Sequence, residues 1–152
     1  MQEGYSLWGG VVNQWCARAN PGLEYFCYIS PYAYPHIRSR IFIQTEQYDT
    51  YQVSSNCCSP PFQGDEVEYV RTLRLAFATS LTEIREPSSV FSGACYHHCL
   101  TEDASFNTIA IKGYTMQQVL TSWYYQDSTA PTHAIATCPS FNCSVGCPES
   151  PY

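Results

Sequence analysis

The stretch Arg40-Ile41-Phe42-Ile43-Gln44-Thr45-Glu46-Gln47-Tyr48-Asp49 decides how this sequence is read. Its first five residues are a run of β-formers of strand length. Ile41, Phe42 and Ile43 put apolar side chains on both faces, as a buried parallel strand requires. The polar residues that follow lead, a few positions on, to an acid, Asp49. In open α/β sheets ligands bind beyond the carboxyl ends of the strands, so an acid just past a strand stands where chemistry is done. An Asp in such a loop is equally an ordinary turn-former or helix cap, and position alone does not separate the two roles.

Reading outward, the same pattern recurs downstream. Cys57-Cys58-Ser59-Pro60-Pro61 is too proline-rich for regular structure. Asp65 is then expected to cap a helix, with Glu68 completing a capping box. Val67, Val70, Leu73, Phe77, Leu81 and Ile84 form its core-facing stripe, at spacings of three and four. A short apolar strand at Val90-Phe91 runs into Ser92-Gly93-Ala94-Cys95-Tyr96-His97-His98-Cys99. A second capping box, Thr115 with Gln118, opens a helix that carries Met116, Val119, Leu120, Trp123 and Tyr124. Upstream, residues 5–19 read as a helix around Leu7, Val11, Val12 and Trp15, despite Gly9-Gly10, and Asn20-Pro21-Gly22 ends it as a turn. An aromatic loop follows from Cys27 to Pro35, and residues 138–152 read as an irregular, cysteine-rich tail. Strand, loop, helix, strand, loop, helix predicts an α/β fold with a parallel sheet. Two strands do not complete such a sheet, so further strands are expected from outside the chain.

Composition sets the class. With 152 residues, 45% of them hydrophobic, one modest core is within reach. Thirteen tyrosines, three tryptophans and only 13% charged residues argue against disorder. A net charge of −6, with seven Lys and Arg in all, provides no basic stripe, which argues against nucleic acid as a partner. Nine cysteines point to an oxidising, extracellular setting with several disulfides. The odd count means that one thiol is free or pairs outside the chain. Met1-Gln2-Glu3-Gly4-Tyr5 has neither a basic nor an apolar signal-peptide region, and no stretch approaches membrane-spanning length. A secreted-type chain without an export signal leads to the expectation of a longer protein, its N-terminus and signal peptide lying upstream. A monomer is expected.

Asp49 past one strand and His98 past the next are two members of a Ser–Asp–His triad in α/β-hydrolase order. In that chemistry the imidazole takes the nucleophile's proton and the acid fixes its tautomer; no cofactor or metal is needed. The third member is absent, since no Gly-x-Ser-x-Gly occurs in the chain. Gly4-Tyr5-Ser6-Leu7-Trp8 lacks the second glycine and has no room for a strand before it, so Ser6 is not the nucleophile. A zinc alternative stays open through Cys95, His98 and Cys99, although adjacent His97 and His98 point in different directions and no second cysteine pair has finger spacing. Cys57 and Cys58 are expected to pair elsewhere, with a vicinal disulfide as the alternative. Asn142-Cys143-Ser144 matches a glycosylation sequon with a cysteine in its middle.

Several motifs, in order along nearly the whole chain, resemble the C-terminal half of the pectin acetylesterase family, which includes the animal Notum carboxylesterases. Trp8-Gly9-Gly10-Val11-Val12 with Cys16 and Cys27 is similar to the helix and cysteine pair before the family's acid strand. Ile41-Phe42-Ile43 through Tyr48-Asp49-Thr50-Tyr51-Gln52-Val53 resembles the strand and loop that present the catalytic aspartate, and Arg74-Leu75-Ala76-Phe77 with Leu81 a family helix motif. Cys95-Tyr96-His97-His98-Cys99-Leu100-Thr101-Glu102 is the most specific match, resembling the Cys-x-x-His-Cys segment of the catalytic histidine in its plant-type form. Trp123, Tyr124, Cys138-Pro139, Cys143 and Cys147 resemble the closing helix and tail.

The resemblance implies part of a single α/β-hydrolase-like domain over residues 1–152, with residues 138–152 as its disulfide-rich tail. It assigns the acid to Asp49 and the histidine to His98, with His97 a neighbour. It implies ester hydrolysis through an acyl-enzyme, with acetylated pectin as the leading substrate class or another O-acyl ester. The family's Gly-x-Ser-Ala-Gly elbow and glycine-rich oxyanion region have no counterpart, so the chain by itself is expected to be inactive. The competing expectation is a non-enzymatic, disulfide-stapled extracellular binding module on the same fold.

Overall fold

A computed structural model describes residues 1–102 and 104–148, which fall into two units, Met1–Arg40 and Ile41–Tyr152. Asp103 and the last four residues of the expected tail lie outside the described residues.

In the first unit the single helix expected over residues 5–19 is two helices, α1 (Gln2–Leu7) and α2 (Gln14–Ala19). Gly9 adopts a φ of +58°, which ends α1. Gly10 follows where a Cβ would come within 2.6 Å of both the Tyr5 ring and the Tyr28 hydroxyl. Leu7 and Val11 consequently share no buried stripe and are exposed. Asn13 restarts the helix, its side chain accepting from the N–H groups of Trp15 and Cys16 at 2.9 and 3.1 Å. Cys16 is buried and bonded to Cys27, which sits in the 3₁₀ turn Glu24–Tyr28. Helix α3 (Ser30–Ala33) follows, so the aromatic segment from Cys27 to Pro35 is largely helical turns.

The second unit contains β1 (Phe42–Gln44), α4 (Thr50–Asn56), α5 (Asp65–Thr82) and β2 (Ser89–Ser92). It continues with β3 (Ala110–Ile111), β4 (Tyr114–Thr115), α6 (Met116–Tyr125) and β5 (His133–Ile135). The main sheet runs β1-β2-β5, wholly parallel, with Ile43 opposite Val90 and Phe91 opposite Ala134. The α/β alternation and the parallel sheet thus hold. Strand β2 is central and buried along its whole length. Core side chains include Val53, Val70, Phe91, Leu100, Ile109, Met116 and Val119. Among the described residues no helix is long and apolar enough to cross a membrane.

The third strand and the β3–β4 hairpin are additions to what the sequence suggests. Strand β5 has only three residues and begins two positions after Pro131, so no run of strand length marks it. The hairpin turns on Lys112 and Gly113, both at positive φ, as a tight two-residue hairpin turn requires.

Two other expectations are corrected. Asp65 does not cap α5: Gly64, at a φ of +54°, is the N-cap, and Asp65 is the first helical residue. Glu66, not Glu68, reaches back to accept from the Gln63 N–H at 3.0 Å, leaving Glu68 to pair with Arg71 on the surface. The register is one residue early because glycine alone enters the helix from a left-handed conformation without strain. Cys57 and Cys58 pair with each other rather than elsewhere. They cap the end of α4, where both backbone N–H groups donate to the Val53 carbonyl at 2.9 and 3.1 Å, and this places the sulfurs side by side. The Thr115–Gln118 capping box is present as expected.

The expected α5 stripe is interrupted by an arginine. Val70 and Leu81 are buried, but so is Arg74, whereas Val67 is 51% exposed. Arg74 Nε donates to the Gln47 Oε1 at 2.9 Å and its Nη2 to the Cys138 carbonyl at 2.6 Å. The Gln47 amide donates in turn to the carbonyls of Ser92, at 3.3 Å, and Ala136, at 2.9 Å.

Arg74→Leu leaves two buried acceptors without a donor, each costing about 1–3 kcal/mol. It is expected to lower stability by about 2–4 kcal/mol in urea unfolding, with Arg74→Lys recovering part of the loss. Removing the Cys95–Cys147 disulfide, which spans 52 residues, by the double substitution to alanine is expected to cost about 4 kcal/mol in the same measurement.

Candidate active site

The parallel ladder does not stop where β1 ends. Thr45 N–H donates to the Phe91 carbonyl at 3.2 Å, Gln47 N–H to Gly93 at 2.8 Å, and Thr50 N–H to His97 at 3.3 Å. The loops after β1 and β2 therefore leave the sheet side by side, one carrying Asp49 and the other His98.

Asp49 is the N-cap of α4, and its two oxygens divide the two roles foreseen for it. Oδ1 accepts from the Gln52 N–H at 2.8 Å, an ordinary cap bond. Oδ2 meets His98 Nδ1 at 2.6 Å, at the short end for a charge-assisted contact. The cap bond fixes the carboxyl plane, so the second oxygen is aimed before the imidazole arrives.

His98 is held mainly from the tail. Cys95 is bonded to Cys147. The Ala94 N–H donates to Ser144 Oγ at 2.9 Å and the Tyr96 N–H to Asn142 Oδ1 at 3.0 Å. Beneath the loop the Tyr96 ring packs on Phe62 and Phe141, and Phe141 on Tyr48. The sequon residues Asn142 and Ser144 are thus engaged in this anchor, and Asn142 Nδ2 itself donates to the Pro148 carbonyl at 3.0 Å. The zinc alternative loses a ligand, because Cys95 is in a disulfide. Among the described residues no group of three His, Cys, Asp or Glu is placed to hold a metal ion. Eight cysteines form four disulfides, and Cys99, next to His98, is the exposed free thiol.

The pair is asymmetric in exposure, with the Asp49 side chain 12% exposed and that of His98 49%. A shielded carboxylate beside an accessible imidazole suits an orienting acid and a proton-transferring base. With Nδ1 directed at Asp49, Nε2 is the ring nitrogen left to exchange a proton with a reactant. The Tyr51 ring lies 5.9 Å from the imidazole.

Sequence reasoning passed over one acid in this neighbourhood. Glu46, at the exit of β1, is 2% exposed. Its Oε1 accepts from the Gln44 amide at 3.0 Å, while Oε2 is buried with no hydrogen-bond partner among the described residues. Burial raises its pKa from 4.5 to about 8; the Gln44 amide and the Cys95 backbone N–H favour the charge in part, and the Asp49 carboxylate disfavours it further. Nothing in the local pattern Thr-Glu-Gln-Tyr marks it as buried. Its neighbour Tyr48 is also pushed up by burial, with Arg74 acting in the opposite sense.

Residues 10–148 match the family described as Pectinacetylesterase. Palmitoleoyl-protein carboxylesterase notum1a of Danio rerio is 25% identical over 162 aligned positions, covering 97% of this chain and 32% of the relative. Palmitoleoyl-protein carboxylesterase notum2 of Xenopus laevis is 26% identical, covering 91% of this chain and 29% of the relative. The human protein NOTUM, of the same description, is 24% identical, covering 97% and 32%. The chain spans about a third of the length of these relatives. With a match over more than nine-tenths of its length, the chain belongs to the pectinacetylesterase family.

Proposed function

We propose that Asp49 and His98 are the acid and base of a serine carboxylesterase site, whose nucleophile is carried by residues outside these 152. The observation that carries this reading is the 2.6 Å contact between Asp49 Oδ2 and His98 Nδ1, with Asp49 independently oriented by its cap bond. Membership of an esterase family supports it, as does the delivery of acid and imidazole by consecutive parallel strands of one sheet. We read both units as parts of one α/β-hydrolase-like domain.

In the reaction, His98 Nε2 takes the serine proton as the serine oxygen attacks the ester carbonyl. The imidazolium formed is stabilised by Asp49, which stays ionised. Collapse of the tetrahedral intermediate breaks the acyl–oxygen bond, and the departing alkoxide takes the proton from Nε2. Water then repeats the sequence on the acyl-enzyme, giving the free acid and restoring the serine. The substrate class is an O-acyl ester, acetylated pectin first. The four disulfides accord with a secreted protein.

The test is ester hydrolysis by the complete gene product, followed with p-nitrophenyl acetate and as acetate release from acetylated pectin. His98→Ala and Asp49→Asn are each expected to lower kcat by about ten-thousand-fold with KM little moved. His97→Asn is expected to change kcat by less than about tenfold, because its ring is outside the proposed relay. A wild-type protein without esterase activity, or a fully active His98→Ala variant, overturns the reading and favours the non-enzymatic binding module.

A further inference from the structure

Glu46 links the two loops that carry the proposed pair. It stands three residues before Asp49, and its carboxyl lies against the segment that leads from β2 to His98. A Cβ placed on Gly93 would fall 2.6 Å from Glu46 Oε2, so the approach is possible only because residue 93 has no side chain. The neighbouring Gln47 N–H fastens the same point through the Gly93 carbonyl at 2.8 Å. Glu46 Oε2 has no donor in hydrogen-bonding geometry, and the Cys95 N–H nearby only partly offsets the cost of burying a carboxylate, so the neutral acid fits the site better.

Resting on the reading of Asp49 and His98 above, we propose that Glu46 is a positioning residue, whose uncharged carboxyl seats the Gly93–Cys95 segment and so holds His98 against Asp49. The groups described around it are few. Gln44 on β1 is neutral and hydrogen-bonded to it. Asp49 is the acid on its own loop, committed to His98. Past β2 stand Gly93 and Cys95, the latter in a disulfide. From α5 the Arg74 guanidinium is directed to Gln47 and the Cys138 carbonyl. No cation is directed at the Glu46 carboxyl among these groups. Ionised, it places a second negative charge beside Asp49 in a buried site, and the relief available is for the 93–98 segment to lift and admit solvent. The imidazole lifts with it.

The consequence is an alkaline limb in kcat. The neutral, competent form prevails below a pKa of about 8 and the charged form above it. A single group titrating there reduces kcat about tenfold between pH 7 and pH 9. The experiment is a pH profile of p-nitrophenyl acetate hydrolysis by the complete protein, corrected for spontaneous hydrolysis, for wild type, Glu46→Gln, Gly93→Ala and His98→Ala. Glu46→Gln, which cannot ionise, is expected to raise the ratio of kcat at pH 9 to that at pH 7 by about five- to tenfold over wild type. Gly93→Ala is expected to lower kcat at pH 7 by tenfold or more while KM stays within about threefold. A Glu46→Gln profile that keeps the wild-type alkaline limb, or a wild type without one, overturns the inference. His98→Ala separates the two levels: if it is fully active, the assignment of the pair fails. If it is inactive while the Glu46 variant follows wild type at every pH, only the role of Glu46 fails.

Discussion

The side-chain amide of Gln47 is the knot on which the architecture around the site depends. It is fully buried, donates to the carbonyl of the last residue of β2 and to one just past β5, and accepts from Arg74, which extends the network to Cys138. The carbonyls at the ends of β2 and β5 that it meets are buried, and such groups must find donors within the protein. The Gln47 amide satisfies both, held in turn by the Arg74 guanidinium, and so ties the ends of β2 and β5 into a single rim. The same residue's backbone N–H carries the β1–β2 ladder past the end of the strand to Gly93. The loops bearing Asp49 and His98 emerge from that rim in fixed register.

Acid and imidazole are held by different kinds of force. Asp49 is oriented by a bond three residues away, which would form in any helix that begins at this point. His98 is oriented from a distance, through Cys147, Ser144 and Asn142 acting on residues 94 to 96. A local anchor stays rigid at little entropic cost. A long-range anchor requires the loop between to be closed, and the Cys95–Cys147 disulfide removes much of that cost from the unfolded chain. The tail is in this sense the second wall of the site, although among its described residues there is no strand of the main sheet.

Around this frame the dielectric is uneven. The carboxyls of Glu46 and Asp49 are shielded while the His98 ring is half in solvent. Asp49 meets a backbone N–H and an imidazole, whereas for Glu46 burial outweighs the Gln44 amide and the Cys95 N–H and pushes its pKa up to about 8.

Features that depend on three or four consecutive residues were legible in the sequence. The Thr115–Gln118 box is one, and the Asp49 cap and the apolar run of β1 are others, because side chain and partner lie within one turn. That Asp49 and His98 each follow a strand by a few residues was legible too, and the structure brings the two side chains together. What the sequence did not contain were the outcomes of competition between distant groups. Asp65 lost the cap to Gly64 because the chain arrives there with a left-handed φ, and Arg74 occupies a position whose spacing calls for an apolar residue because Gln47 and the Cys138 carbonyl wait beside it. The pairing of Cys57 with Cys58, the three-residue β5 and the burial of Glu46 belong to the same kind. By itself the sequence determined which acid and which imidazole follow the strands, and in what order. The tertiary structure alone decided their distances and their partners, because burial and long-range hydrogen bonds exist only once the chain has closed on itself.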